Sequence, residues 1–125
     1  MASRLTELVL DCHDHRRMGE FWAQVLGYEP VETADGPEDH YVELCGPAGS
    51  GPTLLLFRTD DEKIVKNRMH IDVNPTDRDQ DEEVERILAL GATRVDIGQG
   101  ESSWVVLADP EGNEFCVLRS RVDPH

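Results

Sequence analysis

Four side chains in this 125-residue sequence carry the chemistry a small domain could perform: Glu7, His70, Asp72 and Cys116. A carboxylate such as Glu7 can take up a proton, and an imidazole such as His70 can return one. A thiol and a second carboxylate add a candidate metal ligand and further contacts to a bound molecule. These groups are scattered along the chain, so their use depends on elements that bring them to one surface.

Hydrophobic periodicity suggests those elements. Residues 5–12 alternate as a strand, with Leu8 and Leu10 on one face and Glu7, Val9 and Asp11 on the other. Asp14 can cap a helix running to Leu26, whose buried stripe is Met18, Phe21, Trp22, Val25 and Leu26; Gly27 ends it. Strands are expected at residues 28–33, 40–45 and 53–58, separated by turns at 34–38 and 46–52. The order then recurs. Residues 68–74 form a strand, with Met69, Ile71 and Val73 on its apolar face. Asp77 or Asp79 caps a helix presenting Val84, Ile87 and Leu88, and Gly91 ends it. Strands follow at 92–97, 103–108 and 114–120. The whole chain reads as one domain, with units at 4–58 and 68–120 and a charged link at 59–67.

The two halves match in detail as well as in order. Leu26-Gly27 returns as Leu90-Gly91 and Gly36 as Gly100, both 64 positions later. Tyr41-Val42-x-Leu44 returns as Trp104-Val105-x-Leu107, and Pro47-x-Gly49 as Pro110-x-Gly112, both 63 later. Residues 54–58 return as 115–119, 61 later. The fold class is therefore α+β: two βαβββ units whose strands are expected to build a curved mixed sheet with the helices on its outer face. Alternation sends the polar set toward the uncovered face. Glu7 then corresponds to His70 and Leu55 to Cys116, four equivalent positions lining a trough. Phe57, Tyr41 and Trp104 are candidate aromatic contacts there, and Trp22 is expected in the core.

Composition narrows the partners. Twelve basic against 26 acidic residues give a formal net charge of −14, which repels phosphate backbones and disfavours nucleic acid. The chain has no long apolar run, and its first strand begins almost at once. Its three cysteines, Cys12, Cys45 and Cys116, are widely spaced and form no CxxC pair. A reduced, cytoplasmic, membrane-free protein is expected.

The helix end Phe21-Trp22-x-x-Val25-Leu26-Gly27, the strand Arg68-Met69-His70-Ile71-Asp72-Val73 and the segment Asp109-Pro110-Glu111-Gly112-Asn113-Glu114-Phe115 resemble the vicinal-oxygen-chelate (glyoxalase/bleomycin resistance/dioxygenase) superfamily. Within it, Lys66-Asn67-Arg68-x-His70-x-Asp72 is similar to the glyoxalase-like domain subgroup. The resemblance implies a metal ligand on the first and last strand of each unit, which by position means Glu7, Leu55, His70 and Cys116. Leu55 cannot bind a metal, so the implied ligand set is Glu7, His70 and Cys116, holding one divalent ion (zinc, nickel, iron or manganese) or none. Glu7 and His70 are the implied catalytic pair. Leu55, Phe57, Asp72, Trp104 and Cys116 are the expected substrate contacts.

The expected function is the binding of a small metabolite in the trough, with metal-assisted lyase, isomerase or dioxygenase chemistry. The alternative is a non-catalytic binder of a cationic drug, of the bleomycin-resistance type, which suits the acidic charge. The resemblance also implies a homodimer.

Overall fold

A computed structural model describes residues 2–31, 40–48, 50–96, 98, 100 and 102–124. Met1–Asp61 and Glu62–His125 form two compact units. The turn expected at 34–38, the Gly36 and Gly49 members of the repeat and the ends of the strands expected at 28–33 and 92–97 lie outside the described residues.

The N-terminal unit starts with β1 (Glu7–Cys12) and α1 (His15–Leu26). Asp14 caps the helix by accepting a hydrogen bond from Arg17 N at 3.1 Å. Gly27 ends it in the left-handed conformation, φ 67°, where a side chain would be strained. Strands β2 (Glu29–Pro30), β3 (Tyr41–Cys45) and β4 (Thr53–Arg58) follow, and the sheet order is β1-β4-β3-β2. The β1–β4 pair is parallel and the other two pairs are antiparallel. Met18, Phe21 and Trp22 from the helix and Leu44, Leu54 and Leu56 from the sheet are buried. Helix and sheet pack closely at Gly19, where a Cβ would stand 2.9 Å from Val42 Cγ1.

The C-terminal unit repeats this plan with β5 (Ile71–Val73), α2 (Gln80–Leu90), β6 (Thr93–Arg94), β7 (Val105–Ala108) and β8 (Glu114–Val117), ordered β5-β8-β7-β6. Asp79 is the cap of α2, accepting from Glu82 N at 2.8 Å. Asp77 instead pairs with Arg78. Asp81, Glu82 and Glu83 occupy the first turn, where the helix dipole favours negative charge. Val84, Ile87, Leu107, Phe115 and Val117 are buried.

Strand pairing supports the repeat independently. Val9 pairs with Leu55 in β1–β4, and Asp72 with Cys116 in β5–β8. Glu43 pairs with Leu55, and Val106 with Cys116. Each of these partnerships maps onto the other through the sequence offsets of 63 and 61.

One inward assignment fails. Met69 is 79 % exposed, because β5 begins only at Ile71 and alternation cannot be carried back beyond the ladder. The start of the C-terminal unit is anchored on its β7–β8 turn and β8. Lys63 Nζ donates to Glu114 Oε1 at 2.7 Å, and Asn67 Nδ2 donates to Asn113 Oδ1 at 3.1 Å. The β7–β8 turn is closed by Asp109, whose buried carboxylate accepts from Glu111 N and Asn113 N at 2.9 and 3.0 Å. Among the described residues no helix is long and apolar enough to cross a membrane.

Candidate metal centre

The parallel register of β5 and β8 sets Asp72 directly beside Cys116. Phe115 and Val117 are buried in the core, so alternation turns Cys116 to the sheet face away from α2. Asp72, between the half-buried Ile71 and Val73, points the same way. His70 precedes the ladder by one residue, and its Nε2 lies 3.4 Å from Asp72 Oδ1. The three donor atoms all fall within 4.8 Å of one another. Among the described residues this is the group of three or more His, Cys, Asp or Glu side chains placed to share an ion.

The donors differ in setting. Cys116 is 5 % exposed, whereas the His70 and Asp72 side chains are 42 % and 47 % exposed. Burial pushes the Cys116 thiol pKa up. The Asp72 charge and its hydrogen bond with the thiol add to the rise, and the Lys66 ammonium offsets part of it. On the other flank of Cys116 stands the buried Val106. The site has a polar side toward β5 and an apolar side toward β7.

This donor set fits a divalent metal. Imidazole, carboxylate and thiolate are the three ligand types of zinc sites, and three protein ligands leave a position for water or substrate. A tetrahedral zinc ion separates its ligands by about 3.3–3.8 Å, so closing the cluster needs movements of about an ångström. The exposed His70 and Asp72 side chains can supply them.

Of the expected ligands, His70 and Cys116 are brought together and Asp72 completes the group. Glu7 is an exposed residue of β1 in the N-terminal unit, in register with Thr53. Asp72 was read as a substrate contact. The His70-x-Asp72 spacing is the sequence signal for their proximity, although His70 stands just before β5 and the 3.4 Å contact, not strand alternation, joins the two side chains.

The expected substrate contacts divide between the units. On the N-terminal sheet, Leu55 is half-buried. Phe57 is exposed and stacks parallel on Tyr41, with ring centroids 6.4 Å apart. Asp11 is its register partner. In the C-terminal unit, the exposed Trp104 lines an open cleft of about 680 Å³ with Arg94, Val95, Asp96 and Ser102. Trp22 is in the core, as expected.

Duplicated βαβββ units with a mixed four-stranded sheet each define the vicinal-oxygen-chelate class. Residues 7–118 match the glyoxalase-like domain family, and the chain belongs to that family within the glyoxalase/bleomycin resistance/dioxygenase superfamily. Solved structures agree on the fold. A glyoxalase/bleomycin resistance protein/dioxygenase family enzyme from Burkholderia phytofirmans PsJN is 20 % identical, with a TM-score of 0.64 over 92 % of this chain and 97 % of that one. The fosfomycin resistance protein FosX from Listeria monocytogenes is 20 % identical, with a TM-score of 0.70 over 98 % and 94 %. TioX from Micromonospora sp. ML1 is 18 % identical, with a TM-score of 0.58 over 94 % and 98 %. No curated protein matches the sequence.

Proposed function

We propose that this protein is an enzyme acting on a small oxygenated metabolite with the help of one divalent ion held by His70, Asp72 and Cys116. The observation that carries the reading is the convergence of three different donor side chains within 4.8 Å. When bound, such an ion acts as a Lewis acid that polarises a substrate oxygen. The protein's own part is positional. Cys116 anchors the site from the buried layer of the sheet, while Asp72 and His70 reach it from the solvent side. The apolar Val106 flank keeps water from that side of the thiol.

The family setting supports an ion in this fold. A point mutant of FosX from L. monocytogenes has been crystallised with Mn(II) and 1S,2S-dihydroxypropylphosphonic acid. A net charge of −14 would slow the approach of an anionic phosphonate. A neutral ligand with two vicinal oxygens suits the site better.

The test is metal analysis of the purified protein, joined to turnover assays with a hemithioacetal, a catechol and an epoxide phosphonate. The reading expects about one equivalent of bound ion, and turnover of a neutral substrate that chelation abolishes. A metal-free protein that cannot be loaded and turns over nothing would refute it.

A second reading has its own support in the Tyr41–Phe57 stack, flanked by Asp11. An exposed aromatic pair beside a carboxylate suits a planar cationic drug, and the protein would then be a sequestering binder. Calorimetry with a cationic glycopeptide at two salt concentrations separates the two. Salt-sensitive micromolar binding without turnover favours sequestration.

A further inference from the structure

We infer that the ion is a thiophilic one of the zinc type, bound by the C-terminal unit alone, with Asp72 in the ligand role and Glu7 not required. The inference rests on the metal-assisted reading above and deepens it by naming the ion class and by leaving Glu7 out of the ligand set.

Three observations carry it. First, the three donors lie on one strand pair and its approach: His70 one residue before β5, Asp72 within it and Cys116 on β8. The register that joins them belongs to the backbone of this unit. Second, the donor set is mixed. Soft thiolate ligands select zinc and its neighbours late in the first transition row, whereas magnesium, calcium and manganese prefer all-oxygen surroundings. Third, the charges balance. One thiolate and one carboxylate cancel the two charges of the ion, and a neutral imidazole completes the set. A further carboxylate would leave the centre anionic inside a protein already at −14. Among the described residues the cluster occurs in one unit, and the repeat explains why. The positions equivalent to Asp72 and Cys116 are Val9 and Leu55, which offer no donor.

Cobalt(II) is the probe, because a cobalt–thiolate bond gives an intense near-ultraviolet charge-transfer band that oxygen and nitrogen ligands do not. The full chain is stripped with a chelator and titrated with Co(II), then competed with Zn(II) and with Mn(II). The same is done for Asp72→Asn, Glu7→Gln and Cys116→Ser, with circular dichroism confirming that each is folded. The expected result is a charge-transfer band saturating at one Co(II) per chain. Zn(II) erases it and equimolar Mn(II) does not. Glu7→Gln keeps the native affinity, and Asp72→Asn loses at least about tenfold, the lower range for disturbing a metal shell. Should Cys116→Ser fail to fold, the comparison of Asp72→Asn with Glu7→Gln still decides the ligand.

Loss of affinity in Glu7→Gln with retention in Asp72→Asn would overturn the assignment. Binding of Co(II) or Mn(II) without a thiolate band would overturn the ion class while leaving a metal-assisted enzyme in place. Failure of every ion to bind would remove both this inference and the reading on which it rests.

Discussion

Replacing Lys63 with Met should expose how the first residues of the C-terminal unit are held. Lys63 Nζ stands 2.7 Å from Glu114 Oε1, with the lysine side chain 25 % exposed and the glutamate only 9 %. Burial alone would raise the Glu114 pKa. The Lys63 hydrogen bond and the Asn67 N–H outweigh it, so the carboxyl sits below its ordinary range. Removing one partner of a buried pair costs about 3–5 kcal/mol. Lys63 is partly solvated, and the Asn67 N–H still serves the carboxylate, so about 2–3 kcal/mol is expected at pH 7. The sign of the pH dependence follows. A depressed carboxyl pKa contributes stability that is present above the unfolded value and is lost as pH falls through the folded value. In Lys63→Met, Glu114 loses its cation and protonates more readily, so the gap between native protein and variant should narrow as pH falls below the ordinary carboxylate range. Urea denaturation of both proteins at several pH values measures the gap, and the protein's large net charge largely cancels in the difference. A gap under about 0.5 kcal/mol at pH 7, the level of an exposed pair, would refute the reasoning. So would a gap that does not change with pH.

Other perturbations test the packing. Gly19→Ala should gain up to about 1 kcal/mol of helix propensity. It should lose more, about 1–3 kcal/mol, by forcing its Cβ against the stiff Val42 side chain; thermal melting should show net destabilisation. Asp109→Ala leaves the Glu111 and Asn113 N–H groups without their carboxylate, and a loss of about 3 kcal/mol is expected by urea denaturation. Phe115→Ala empties a buried core position, costing about 3–5 kcal/mol in the same assay.

Much of the fold was legible because its signals are local and doubled. The Asp14 and Gly27 caps, the helix stripe from Met18 to Leu26 (buried as far as Val25, with Leu26 half-buried) and the strand Thr53–Arg58 are each set by neighbouring residues, and the repeat supplied a second reading of most of them. The alternation rule failed at Met69, where the apolar pattern runs on past the hydrogen-bonded ladder. The site was half legible. Periodicity placed His70, Asp72 and Cys116 on one kind of face. Which residues touch depends on the register between β5 and β8, strands more than forty residues apart in sequence. No local pattern encodes that register. Family resemblance placed the third ligand at Glu7, whereas the contact geometry within the C-terminal unit offers Asp72.

The central claim is that Cys116, His70 and Asp72 hold an ion, and X-ray absorption at the zinc edge of the zinc-loaded protein tests it most directly. The account predicts one sulfur at about 2.3 Å and a shell of nitrogen and oxygen at about 2.0–2.1 Å, with the sulfur lost in a folded Cys116→Ser variant. A shell of nitrogen and oxygen alone would contradict it.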